Sequence, residues 1–169
     1  MAISLRARNF GWLFAGLLGA CSLGGPLRVD KKAKDYRTGH PGGGWLERRV
    51  DSSQEAADKI FESSRGNALL AIGSACGVYQ TTTLEALARD LVGPLREAEI
   101  LLQRTRPLDG REGLLTEARG RVDGVSVGML AFVLRKNDCL FDFTLTAREP
   151  LRPEDRVAFE NVLKGFRYE

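Results

Sequence analysis

Histidine is nearly missing from this chain: His40 is the only one in 169 residues. Ser-His-Asp and Cys-His catalysis both need a positioned imidazole. His40 stands beside Pro41 and just ahead of Gly42-Gly43-Gly44, and reads as an exposed side chain rather than a base or a ligand. Cysteine is scarce as well, with Cys21, Cys76 and Cys139 far apart. Three such cysteines and one distant histidine do not form a zinc set, so no metal and no cofactor is expected. Charge of one sign is missing too: 25 basic residues stand against 22 acidic ones. That balance gives no electrostatic case for nucleic acid. No apolar run reaches the roughly 20 residues of an ordinary membrane span. Gly42-Gly43-Gly44 lacks the Lys-Ser/Thr and the preceding strand of a phosphate-binding loop. The adjacent acids Glu154 and Asp155 are better explained by capping a helix start than by acid-base chemistry. No catalytic residue is therefore assigned.

What is present begins at the amino terminus. Arg6 and Arg8 precede an uncharged, mostly apolar run from Phe10 to Ala20, which ends in Leu18-Gly19-Ala20-Cys21. A positive start, a short apolar stretch and small residues before a cut describe a secretory signal. The last four residues resemble the lipobox of bacterial lipoproteins. That resemblance implies cleavage between Ala20 and Cys21, a diacylglycerol on the Cys21 sulfur and an acylated new amino terminus. Several acyl chains make such an anchor effectively permanent, whereas one chain is marginal. An uncleaved anchor and an ordinary signal peptide with a coincidental cysteine are the competing readings. Gly24, Gly25 and Pro26 speak against the first. Ser22 is not the aspartate that retains enterobacterial lipoproteins in the inner membrane, which leans toward the outer membrane, facing the periplasm.

Removing residues 1–20 leaves 149 of 169, enough for one domain with a real core. Without Arg6 and Arg8 the count is 23 basic to 22 acidic residues, near neutrality. With Cys21 taken by lipid, Cys76 and Cys139 become an even pair in an oxidising compartment. They are the expected disulfide; two buried free thiols are the alternative. Residues 21–44 read as the lipidated cysteine and a flexible tether, rich in glycine and charge. Lys31, Lys32, Lys34 and Arg37 form its basic cluster, which reads as solvated linker more readily than as a contact to anionic head groups.

The domain is expected over 45–169. Trp45 to Val50 reads as a first strand, and Ser52 with Glu55 has capping-box spacing for a turn of helix through Ala57. Asp58–Ser63 and Ala68–Ser74 flank Ser64-Arg65-Gly66-Asn67 as a hairpin, with Cys76 just past it. Thr82 with Glu85 starts a helix through Val92, whose apolar face is Leu84, Leu87, Ala88, Leu91 and Val92. A strand from Ile100 to Arg106 leads to the turn Pro107-Leu108-Asp109-Gly110. The next strand points Glu117, Arg119 and Arg121 outward, and Asp123-Gly124 is a two-residue hairpin turn. Val125 to Arg135 is apolar on both faces, as in a central strand. Cys139, Phe141, Phe143 and Leu145 share one face of the strand that follows. Pro153 opens a closing helix with the stripe Phe159, Val162, Leu163 and Phe166, ended by Gly165.

These elements predict an α+β fold: an antiparallel sheet of five to six strands with two packed helices. The capped helix from Thr82 to Val92, the strands from Ile100 to Ala147 and the closing helix ending Val162-Leu163-Lys164-Gly165-Phe166 resemble the α/β/α sandwich of PsbP-type proteins. The resemblance covers about residues 45–168 and transfers no functional residue. It implies an accessory or binding protein, by analogy of fold alone. The expected function is a non-enzymatic, lipid-anchored envelope protein that presents one domain to a protein partner in the periplasm. The alternatives are a carrier of a lipid or other apolar ligand, and last an envelope hydrolase. Trp45, Tyr79 and Phe132 are candidates to line an apolar pocket, although core packing accounts for such residues more often.

Overall fold

The structure, a computed structural model, describes residues 32–33, 35–50, 57–77 and 81–169. Cys21, the signal segment and the Ser52–Glu55 box lie outside them. Three turns of two residues set the frame. Asp109-Gly110, Asp123-Gly124 and Asn137-Asp138 have positive φ at both positions. That is the backbone of a type I′ turn, whose twist matches that of paired strands. These turns join β4 (Arg96–Leu108), β5 (Arg111–Val122), β6 (Val125–Lys136) and β7 (Cys139–Arg148) into one meander. A shorter meander of β1 (Trp45–Arg48), β2 (Ala57–Ser63) and β3 (Ala68–Cys76) precedes it. Pairing of β3 with β7 fuses the two into a seven-stranded antiparallel sheet of order β1-β2-β3-β7-β6-β5-β4.

Seven strands exceed the five to six expected. All seven stand at segments read as strands from sequence, both edges included, although the edges are the least regular. The first ten positions of β4 are all exposed, and β1 is exposed at three of four. A strand without a buried face carries no alternation to read. For the same reason β4 begins at Arg96, ahead of Ile100. Central β6 is buried on both faces, as its unbroken apolar run implies.

Helix α1 (Leu84–Val92) crosses from β3 to the far edge and covers one face. Leu87 and Ala88 sit on Leu114, Val133 and Leu140, and Val92 on Ala118, Met129 and Ala131. Its N-cap is Thr83, not Thr82: the Thr83 hydroxyl accepts from the Ala86 N–H at 3.2 Å. Helix α2 (Pro153–Lys164) covers the opposite face and completes the sandwich. Phe159, Val162, Leu163 and Phe166 lie over Leu70, Ile72, Phe132, Phe141, Phe143 and Leu145. At its start the Asp155 carboxylate accepts from the Arg152 backbone N–H at 3.3 Å and from its guanidinium at 3.0 Å. Asp155 is 1% exposed, so it caps the helix, as adjacent acids there suggest.

The segment read as tether is not free where it is described. Residues 35–41 lie as a strap along α2. Arg37 and Arg167 exchange two backbone hydrogen bonds, and the Gly39 N–H donates to Val162 O at 3.1 Å. Tyr36 packs its ring against Phe141 and Phe166, and Pro41 is buried. Gly39 and Gly165 cross backbone to backbone, so a Cβ on either would run into the other strand of the crossing. Glycine here serves close approach, which composition alone reads as looseness. The packed part of the domain therefore extends ahead of Trp45.

Candidate functional site

Cys76 is the last residue of β3 rather than a residue beyond it. It is in direct register with Cys139, the first of β7. Their Cα atoms are 4.0 Å apart and the sulfurs are bonded as a disulfide. The bond closes one end of the central strand pair, beside the Tyr168 hydroxyl at 3.3 Å from the Cys139 sulfur. It is structural in position, pinned among core residues. His40 is exposed, as expected. Its Nδ1 accepts from the Gly42 N–H at 3.0 Å and its ring edge meets Phe61. Phe132 is fully buried core, Trp45 is half-buried on β1, and Tyr79 lies outside the described residues.

A polar cluster holds the strap to the sheet. Asp58 accepts from the Tyr36 hydroxyl at 3.0 Å and the Ser74 hydroxyl at 2.5 Å, and faces the Lys32 ammonium at 2.9 Å. Burial and the Asp58 charge push the Tyr36 phenol well above its usual range. Half-buried Asp142 lies over Gly73, and burial followed by the Asp58 charge pushes its carboxyl up. Asp58, Tyr36 and Ser74 are fully engaged with one another, so the cluster is a clasp.

The most open chemistry lies at the free edge of β4. Pairing with β5 turns Leu102, Arg104 and Arg106 toward the α2 side of the sheet, opposite Glu117, Leu115 and Gly113. One face of α2 presents Arg156, Phe159 and Glu160, spaced three and four residues apart. Between the two lies a cleft of about 210 Å³, with Leu102, Leu115, Leu130 and Phe159 for its apolar lining. Glu117, expected to face solvent, instead faces α2. It accepts two bonds from Arg156, at 2.5 and 2.8 Å. Those bonds hold the Glu117 carboxyl below the usual range and raise the Arg156 guanidinium. Arg106 and Glu160 make a second two-pronged pair at 2.6 and 2.7 Å. Arg104 sits on the same rim, exposed, with no carboxylate partner among the described residues. A second depression of about 120 Å³, beyond the Arg156–Glu117 pair, is lined by Leu101, Ala118, Pro150 and Leu151.

A cleft of this size is below the roughly 300 Å³ of a small-molecule site. It suits one apolar side chain of a larger partner. Ile100, Leu101 and Leu102 are 42–47% exposed along the same edge. A larger cleft of about 470 Å³ lies between Gly42-Gly43-Gly44, Trp45, the β2–β3 turn and the start of α2. Its charged groups are joined to each other, Arg65 with Glu154 and Arg152 with Glu154 and Asp155. No group of three or more potential metal ligands occurs among the described residues, and no described helix is long and apolar enough to cross a membrane. Apart from Phe159 in the apolar stripe of the closing helix, the groove's residues carry no short-range sequence signal. Its ion pairs join positions 39 and 54 apart, and only the fold brings them together.

Comparison with protein-family models and with curated proteins finds no match. Solved structures do match. CyanoP, the cyanobacterial PsbP of Synechocystis sp. PCC 6803, is 20% identical with TM-score 0.58, over 90% of this chain and 99% of that one. A single-residue mutant of the protein Mog1 is 13% identical with TM-score 0.57, over 82% and 95%. LpqN, described as involved in cell envelope biogenesis of Mycobacterium tuberculosis, is 10% identical with TM-score 0.54, over 82% and 84%. At these identities the likeness is one of fold, and the fold of this chain is the PsbP-like α/β/α sandwich that its order of elements resembles.

Proposed function

We propose that this chain is a non-enzymatic lipoprotein of the bacterial cell envelope. Lipid on Cys21 anchors it in the outer membrane, and its α+β domain binds a protein partner in the periplasm. One observation carries the binding reading. The free edge of β4 sets exposed Ile100-Leu101-Leu102 beside an apolar cleft whose acids are each locked to an arginine. The Glu117 carboxyl, held below its usual range by Arg156, is a poor proton carrier near neutral pH, which supports binding over catalysis. Leu18-Gly19-Ala20-Cys21 supports the anchor, and the involvement of LpqN in cell envelope biogenesis fits the same compartment. The carrier reading is disfavoured because Phe132, Phe143, Phe159 and Phe166 fill the space between sheet and α2.

Two measurements test the proposal. An acyl probe labels the wild type in cells and fails on Cys21→Ala; continued labelling of that variant overturns the anchor. A photo-crosslinking side chain at Leu101 yields one discrete adduct in the intact envelope, and the same side chain at Leu46, on the opposite edge, does not. Equal adducts from both edges overturn the β4 surface.

A further inference from the structure

We infer that the β4 edge takes an extended segment of a partner protein as an eighth, antiparallel strand, and that this segment carries the pattern acid-x-apolar. The inference rests on the proposed binding role and names the chemistry of the partner. Edge strands present unpaired backbone groups that template another strand. Along β4, bulges fall between Arg96 and Glu99 and between Ile100 and Leu102, and Leu102 onward runs in unbroken register with β5. Pro107 ends the usable donors. The open stretch is therefore Leu102–Arg106.

Within it, Leu102 and Arg104 face the α2 side, about 7 Å apart along the strand. A residue set opposite Leu102 drops into the apolar cleft against Leu115 and Phe159. A residue set opposite Arg104 meets a guanidinium that no described carboxylate neutralises, while its neighbours Arg106 and Arg156 are already paired. Charge complementarity requires an acid there. Every pairing in this sheet is antiparallel, and antiparallel addition is somewhat more stable per residue. Read from its own amino terminus, an antiparallel guest reaches Arg104 first and Leu102 two residues later, which gives acid-x-apolar. Self-pairing of two copies centred on Arg104 is disfavoured. Centring β4 on itself at Arg104 sets arginine against arginine and Leu102 against Arg106, and like charges directly opposite are destabilising.

The test uses the mature domain and a random eight-residue display library. Selection against the wild type enriches Asp/Glu-x-Leu/Ile/Phe, and a synthetic peptide of that pattern slows amide exchange within residues 102–106. Arg104→Glu weakens that peptide roughly tenfold and shifts the enriched pattern to Lys/Arg-x-apolar. Arg104→Gln, with an unchanged melting temperature, serves as the folding control. No enrichment over an unrelated protein, enrichment indifferent to Arg104→Glu, or protection elsewhere on the chain overturns the inference. Any of these would leave the crosslink at Leu101 standing as a separate measure of partner binding.

Discussion

Reduction of the Cys76–Cys139 disulfide offers the clearest test of how the two meanders are held together. The bond links positions 63 apart in sequence and joins the two halves of the sheet at one end of the β3–β7 seam. Both cysteines stay in register when the bond is cut, because the ladder from Ala68–Ala147 to Ala75–Leu140 holds the strands independently. The effect of the bond therefore falls on the unfolded chain, whose loop it closes. For a loop of this length the chain-entropy relation gives about 4 kcal/mol at 25 °C. With a urea slope near 1.5–2 kcal/mol/M for a domain of this size, the midpoint falls by roughly 2 M on reduction. The assay is urea unfolding followed by far-ultraviolet circular dichroism, with and without reductant and on a Cys76→Ala/Cys139→Ala variant. The reduced protein keeps its native spectrum in buffer and unfolds earlier. Oxidised and reduced forms that agree to within about 1 kcal/mol would refute the reasoning, and so would a native spectrum lost in buffer on reduction.

Two further outcomes follow from packing and charge. Asp142→Asn keeps an acceptor for the Gly73 N–H and removes a buried charge that Asp58 repels. A carboxyl whose folded pKa is raised binds its proton more tightly in the native state, so wild-type stability falls as pH rises through the window between the ordinary carboxylate range and the raised value. The variant melts higher than the wild type at pH 7, and the gain shrinks toward pH 4; a gain that does not vary with pH refutes the assignment. Gly113→Ala brings a Cβ onto the Phe132 ring and within 2.7 Å of Val133 O. It lowers stability by about 1–3 kcal/mol in chemical denaturation, and a neutral result would mean that β5 and β6 are less closely packed there.

The centre of this fold is more legible than its margins. Val125–Arg135 reads as a covered strand because both faces are apolar, and Asp123-Gly124 fixes its hairpin before any packing is known. Leu84 to Val92 announces a helix by its stripe, and only the cap moves, from Thr82 to Thr83. Edges behave differently. Arg96–Thr105 is exposed on both faces and has no period to betray where the strand begins. The strap of residues 35–41 is held by backbone hydrogen bonds, one tyrosine and a glycine crossing, none of which produces a repeating pattern. The groove is hidden for a third reason. Arg106 and Glu160, and Glu117 and Arg156, are ordinary surface residues in sequence, and their pairing exists only once α2 lies over β5.

The strap has a bearing on reach. A chain free as far as Trp45 would place 23 residues between Cys21 and the domain, or roughly 80 Å at full extension. Because the described chain is already clasped at Lys32 through Asp58, only 10 residues separate that point from Cys21, which is at most about 40 Å. For a domain anchored through Cys21, halving the number of linking residues raises its local concentration against anything fixed in the same membrane by about threefold, following the inverse three-halves power of linker length. On that geometry, loosening Tyr36 or Asp58 lengthens the leash without touching the β4 edge.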